Sequence, residues 1–250
     1  MKYKALFLDL DGTTVPLGST TPSLRVIEAI TRAHTKINIC IATGRPLNIS
    51  KPIIHQLHVT SLCSVHDATQ IYDPIKDIVV DTVPLAHEFA DKVIRIFKNY
   101  NLPKIYVEAG VKVSLYIGEA WPKDLSDIAV EDLTENLADK LISELSKISG
   151  IAIHKNVSFK KGYYWVSVVS EQATKLHAVV RLAELLGVNT KEIIGIGDSY
   201  NDFPLLEACG LKIAMGNAVP ELKAIADFIA PSVEDDGVAT IIDKFILNNE

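Results

Sequence analysis

No block of Lys and Arg interrupts this 250-residue chain, and its 25 basic residues are outnumbered by 31 acidic ones. An electrostatic surface for nucleic acid has nothing to rest on. Nor does any apolar run reach the length that spans a bilayer. Asp9 and Asp11 break the apolar stretch at the N-terminus, so neither a membrane segment nor a signal peptide is expected. Together these absences predict a cytoplasmic protein without membrane or nucleic-acid partners. Cysteine is scarce: Cys40, Cys63 and Cys209 each lie among apolar neighbours, and no pair has metal-ligand spacing, which predicts buried reduced thiols. Internal repeats and low-complexity segments are absent. What remains, at 48% hydrophobic and 22% charged residues, is a globular chain with material for one large domain or two smaller ones.

The first third alternates strand and helix signals. Ala5-Leu6-Phe7-Leu8 is a short apolar run. Thr21-Pro22 offers a cap followed by Pro at a first helical position, with Val26, Ile30 and Ala33 at helical spacing. Ile37 to Ala42 reads as a buried strand that ends at Thr43-Gly44-Arg45-Pro46, where the next helix begins. The last third repeats the pattern. Leu176, Val179, Ala183 and Leu186 line a helix closed by Gly187, and Ile193-Ile194-Gly195-Ile196 leads into Gly197-Asp198. Further short strands are expected at Lys212 to Met215 and Phe228 to Ala230. Such alternation predicts an α/β fold, a doubly wound parallel sheet with a Rossmann-like core.

Residues 83–170 read differently. A helix from Pro84 to Tyr100 precedes two alternating strands, Ile105 to Glu108 and Val113 to Tyr116, joined near Gly110 in an antiparallel sense. A second helix, Leu137 to Ile148, is followed by strand patterns at Ile151 to Ile153 and Tyr163 to Val168. This is an inserted α+β domain between two core halves, residues 1–82 and 171–250. It carries 11 acidic and 11 basic residues, so the net charge of −6 belongs to the core.

Directly after the first strand stands Asp9-Leu10-Asp11-Gly12-Thr13. Two carboxylates two residues apart raise each other's pKa and need a cation, hydrogen bonds or a shared proton. A hard divalent cation such as Mg2+ is the simplest remedy, since it takes oxygen ligands and leaves positions open for water and phosphate oxygens. An Asp-Gly turn after a strand is the plainer reading. Three more polar clusters sit at strand ends or a helix start: Thr43-Gly44-Arg45, Thr174-Lys175, and Gly197-Asp198-Ser199-Tyr200-Asn201-Asp202. Each alone reads equally well as a turn, a cap or a solvated cation. A parallel sheet, however, collects ligands outside the carboxyl ends of its strands, where these clusters converge.

The order Asp-x-Asp-Gly-Thr, Ala-Thr-Gly-Arg-Pro, Lys175 and Gly-Asp-x-x-Asn-Asp, with Ala214-Met215-Gly216-Asn217-Ala218 and Glu234 to Ala239 beyond, resembles the Cof-like phosphatases of the haloacid dehalogenase superfamily. That resemblance implies a Mg2+-dependent phosphatase for small phosphorylated metabolites, sugar phosphates first, with the insertion as a substrate-covering cap. Asp9 would be the nucleophile that forms an aspartyl-phosphate. Asp11 would be the acid and then the base, its pKa raised by the neighbouring charge. Mg2+ would sit on the Asp9 carboxylate, the Asp11 backbone carbonyl and Asp198, with Asp202 orienting this shell. Thr43, the Gly44 amide, Lys175 and Asn201 would bind phosphate oxygens. Arg45 could contact phosphate or form a structural ion pair, and Trp121 with Tyr163-Tyr164-Trp165 could stack on a sugar or belong to the core. Two features depart from the family pattern: His66-Asp67 stands where Asn-Gly is common, and Leu176 follows Lys175 in place of Gly. A phosphomutase on the same fold, and a non-catalytic Mg2+ and phosphate binder, use the same residues. The oligomeric state is not legible.

Overall fold

Ala5–Leu8 forms an interior strand of a five-stranded parallel sheet in a computed structural model, which describes residues 2–248 apart from 101, 103, 111, 159 and 161. All four residues of that strand are buried, as expected where a parallel sheet is covered on both faces. Each fully buried Leu or Ile of this kind contributes about 1.5–3 kcal/mol. The strand order is Phe228–Ile229, Leu211–Ala214, Ile193–Gly197, Ala5–Leu8, Asn38–Ile41. From Ala5–Leu8 the chain steps one way to Asn38–Ile41, and from Ile193–Gly197 it steps the other way to Leu211–Ala214. Right-handed crossovers therefore put helix Leu24–Ala33 and helix Phe203–Ala208 on opposite faces. The doubly wound α/β sheet expected from the sequence is present, and its switch point lies between Ala5–Leu8 and Ile193–Gly197, which pair in parallel with Leu8 opposite Ile196.

Helix Leu24–Ala33 begins one turn element later than the sequence suggests. Ser23 is its cap, accepting the Val26 amide at 3.1 Å, so Thr21-Pro22 lies outside the helix. A serine directly before the apolar stripe satisfies an orphan N–H better than Thr21 could from two residues away. Helix Lys175–Leu186 starts at cap Thr174 and ends at Gly187, whose φ of 65° is the left-handed stop. All three cysteines are free and buried.

The chain forms two compact units, residues 1–80 with 174–250, and residues 81–173. The second unit holds a five-stranded antiparallel sheet in the order Lys112–Leu115, Ile105–Ala109, Leu125–Leu133, Tyr164–Ser170, Ile151–Val157. Helices His87–Lys98 and Glu135–Leu145 share a core with it, in which Val93, Phe97 and Leu141 meet Val107, Ile128, Val166 and Val168. The central strand Leu125–Leu133 was not expected from the sequence. Trp121 stacks on Tyr116 with ring centroids 4.6 Å apart and donates from Nε1 to Asp91 at 2.8 Å, and Tyr164 packs on the same core. A further three-stranded sheet comprises Cys63–Val65, Gln70–Asp73 and Ile78–Thr82. Among the described residues no helix is long and apolar enough to cross a membrane.

Candidate active site

Asp9 is the first residue past strand Ala5–Leu8, and its amide continues the sheet ladder to the Ile196 carbonyl at 3.1 Å. Only 4% of it is exposed. A turn follows in which the Thr14 and Val15 amides both donate to the Leu10 carbonyl at 2.9 Å. Gly12 sits in this turn at φ 70°, and a Cβ built there would lie 2.3 Å from Asp198 Oδ2. Glycine is thus required twice, by the left-handed backbone and by the carboxylate against its α-carbon. Asn217 buttresses the turn, donating from Nδ2 to the Gly12 carbonyl at 2.7 Å while its Oδ1 accepts the Val233 amide at 2.9 Å.

Lys175, at the start of its helix, is 8% exposed. Its Nζ bridges Asp9 Oδ1 and Asp202 Oδ1, each at 2.5 Å. It is therefore a buried bridge and not a solvated helix-start cation. Asp202 is fully buried, and its other oxygen accepts the amides of Asp198 at 2.9 Å and Ser199 at 3.0 Å. That clasp fixes the strand-to-helix turn after Ile193–Gly197 and leaves Gly197 no room for a side chain, since a Cβ would lie 2.5 Å from Asp202 Cβ. Asp198 in turn accepts the Thr13 hydroxyl on Oδ1 at 3.1 Å. Asp9, Asp198 and Asp202 each present an oxygen within 4.8 Å of the others, a group able to hold a metal ion.

Charge explains the electrostatics. Burial lifts the Asp9 carboxyl from 3.8 to about 8; Lys175 pulls it down, but Asp202 and Asp198 add to the rise. Burial and Asp202 likewise push Asp198 up to about 6. Burial opposes the charge on Lys175, yet Asp202 and Asp9 outweigh it and hold the ammonium well above its ordinary range. Burial first, and the neighbouring carboxylates second, therefore raise Asp9 and Asp198 above the ordinary value despite the Lys175 ammonium.

Asp11 departs from expectation. Its carboxyl lies below the ordinary value: burial raises it, but the hydrogen bonds from Arg45 and the Gly18 amide prevail. Arg45 donates from Nε to Oδ2 at 2.6 Å and from Nη2 to Oδ1 at 2.5 Å, and its Nη2 also reaches the Ser19 carbonyl at 2.8 Å. The guanidinium and the Gly18 amide outweigh the burial that would raise Asp11. Of the two readings open for Arg45, the structure shows the ion pair.

Thr43 is buried beyond strand Asn38–Ile41, its amide on the Ser64 carbonyl at 3.0 Å and its Oγ1 accepting the Arg45 amide at 3.1 Å. Gly44 follows on the same loop. Asn201, in the turn Tyr200–Asp202, is exposed, and no hydrogen bond joins it to the others among the described residues. The fold thus brings together Asp9, Asp198, Asp202 and Lys175 directly, sets Asp11 against Arg45, and leaves Asn201 on the rim. Sequence reasoning gave no role to Thr13 or Asn217. Thr13 belonged to the Asp9–Thr13 motif and Asn217 followed Gly216 at a strand end, which are the signals that pointed to them.

Three comparisons bear on this arrangement. Residues 6–242 match the model of the haloacid dehalogenase-like hydrolases. A Haemophilus influenzae protein is 40% identical, with 98% of each chain covered. The 5-amino-6-(5-phospho-D-ribitylamino)uracil phosphatase YitU of Bacillus subtilis is 24% identical over 95% of this chain and 96% of its own. A solved haloacid dehalogenase-like hydrolase from Bacteroides thetaiotaomicron superposes with a TM-score of 0.79 at 22% identity, covering 97% of this chain and 99% of that one. The sugar phosphatase BT4131 does so with a TM-score of 0.74 at 19% identity, covering 97% and 98%.

Proposed function

The chain belongs to the haloacid dehalogenase-like hydrolases, and on that premise we propose that this phosphoric monoester hydrolase cleaves small phosphorylated metabolites, sugar phosphates first, through a covalent phosphoryl group on Asp9. The observation that carries the reading is the convergence of Asp9, Lys175, Asp198 and Asp202 from three separate segments onto one buried point at the switch of the sheet. A purely structural network gains little by gathering three carboxylates, two of them buried, around a single ammonium.

In the first half-reaction an Asp9 carboxylate oxygen bonds to phosphorus in line as the ester P–O bond breaks, and Asp11 gives its proton to the departing alkoxide. Water then attacks the phosphoryl group while Asp11 takes the water proton, and the bond to Asp9 breaks to release inorganic phosphate. Lys175 Nζ, the Thr43 hydroxyl and the Gly44 amide hold the phosphate oxygens, with Asn201 donating from the exposed rim. Because Thr43 Oγ1 already accepts from Arg45, its hydroxyl hydrogen remains to donate to an anion.

The donor set fits a divalent cation. Asp9 and Asp198 each have Oδ1 engaged by a neighbour, whereas both oxygens of Asp202 are taken, by Lys175 and by two amides. Asp9 and Asp198, with the Asp11 backbone carbonyl, would hold Mg2+, and Asp202 would orient them. A charge of two added to Lys175 balances three carboxylates. When bound, the ion supplies charge neutralisation for the transferring phosphoryl group.

The insertion, residues 83–170, is proposed as the cap that chooses the substrate. The Bacillus relative is named for a ribityl phosphate and the neighbour BT4131 for sugars, both polyhydroxylated monophosphates. A panel of phosphorylated metabolites assayed with Mg2+ for phosphate release tests the reading: sugar and polyol phosphates should lead, and a panel with no phosphate released would end it.

A further inference from the structure

Asn217 joins the two loops that carry the proposed cation ligands, yet it is neither an acid, a base nor a ligand in the reaction. It stands after strand Leu211–Ala214, on a loop held to the backbone around Asp198. The Met215 amide donates to the Gly197 carbonyl at 3.0 Å, and the Val219 amide to the Asp198 carbonyl at 2.9 Å. From that loop Asn217 Nδ2 reaches the Gly12 carbonyl at 2.7 Å, and its Oδ1 accepts the Val233 amide at 2.9 Å. Although the residue is exposed, both ends of its amide are engaged. Hydrogen bonds hold this side chain, and burial does not.

What it grips is the peptide between two proposed ligands. The Gly12 amide donates to the Val15 carbonyl at 2.8 Å, so in a planar trans peptide the Asp11 carbonyl points the opposite way, out of the turn. Among the described residues no hydrogen bond takes that carbonyl. Gly12, at φ 70°, lacks the Cβ that would restrict rotation about its own bonds, and the bond from Asn217 pins the peptide on the far side of this hinge. Thr13 begins at the same peptide, and its hydroxyl donates to Asp198 Oδ1 at 3.1 Å. Asp198 Oδ2 meanwhile lies against the Gly12 α-carbon. A swing at Gly12 would therefore disturb the Asp11 carbonyl on one side and the Thr13 grip on Asp198 on the other.

We propose that Asn217 is a positioning residue for the divalent cation: by pinning the Gly12 peptide it fixes the Asp11 carbonyl and the Asp198 carboxylate relative to each other, and so raises the preference of the site for Mg2+ relative to Ca2+. The inference rests on the cation assignment made under the proposed function. Mg2+ is small and demands near-ideal octahedral geometry, whereas Ca2+ accepts more oxygens at longer and more variable distances. Loosening the support behind the ligands therefore costs Mg2+ more than Ca2+.

Calorimetric titration of metal-free protein with MgCl2 and, separately, with CaCl2 tests this. Asn217→Asp keeps an acceptor for the Val233 amide but loses the donor to Gly12, and Asn217→Ala loses both. The ratio of the Ca2+ to the Mg2+ dissociation constant should fall about tenfold in each variant. The charge that aspartate adds acts alike on two divalent ions and cancels in that ratio. A role confined to loop stability would lower the metal-free thermal midpoint and leave the ratio alone. An unchanged ratio in either variant, with or without a lower midpoint, would overturn the proposal. Asp198→Ala in the same titrations keeps the two readings apart. Unaltered Mg2+ binding there would end the cation assignment itself, whereas its loss beside an unchanged ratio in the Asn217 variants would end only the present inference.

Discussion

Arg45 grips both oxygens of the Asp11 carboxylate in a fork, at 2.6 and 2.5 Å, and anchors itself on the Ser19 carbonyl. A carboxylate held this way is kept ionised, suited to the base role proposed for Asp11, whereas the proposed proton donation to the leaving alkoxide needs the fork to open on at least one oxygen.

Arg45→Lys trades the fork for a point charge, so Asp11 should move back up toward its ordinary value. The acid limb of the pH dependence of kcat on an alkyl phosphate should shift to higher pH, with kcat down about tenfold. An unmoved limb would show that Arg45 does not act on Asp11 during turnover.

Asp202 holds the Lys175 ammonium and two backbone amides from a fully buried position. Asp202→Ala leaves the buried ammonium with Asp9 alone and the turn unclasped, which should cost about 3–5 kcal/mol. Urea denaturation should reveal that loss. A change below about 1 kcal/mol would mean that water or Asp9 fully replaces the carboxylate.

Asp9 and Asp198 make the metal-free protein sensitive to pH. Both carboxyls are raised in the fold, from 3.8 to about 8 and about 6. A group raised on folding binds its proton more tightly in the native state, so its stabilisation is full below the unfolded value and is lost as the pH rises through the folded one. Metal-free protein should lose thermal stability between about pH 4 and pH 8 through these groups. Because Mg2+ must displace their protons, the rise in thermal midpoint that it brings should be larger near pH 8 than near pH 5. Equal rises at both values would argue that the cation does not sit on these carboxylates.

Much of this was legible in the sequence because the strands leading to Asp9, Thr43 and Asp198 are mostly apolar runs that stop at polar residues, and a parallel sheet sends such ends to one edge. Strand Leu125–Leu133 escaped notice for the opposite reason. Asp127, Glu131 and Asp132 break its pattern, although Asp127 is buried and its Oδ1 accepts the Val168 amide at 3.2 Å. The partner of Arg45 was equally hidden, since the pair is 34 residues apart and no local spacing encodes such a contact. The direction of the Asp11 shift followed from that partner and could not be read without it.

If residues 83–170 choose the substrate, replacing exposed polar residues on the second unit's sheet should change the ranking of phosphate esters. A small activated aryl phosphate offers such residues little to hold and should change least. Uniform loss across the panel would place the insertion in the chemistry or in folding.

The central claim is that Asp9 carries the phosphoryl group to water. The direct measurement is acid-quenched peptide mass spectrometry of enzyme turning over a sugar monophosphate with Mg2+, alongside assay of free phosphate. The account predicts a phosphorylated peptide containing Asp9, absent in Asp9→Asn and longer-lived in Asp11→Asn, with phosphate released in step with substrate loss and no bisphosphate required. Phosphorylation of another residue, or conversion of a hexose 1-phosphate to its 6-phosphate with little free phosphate, would contradict it.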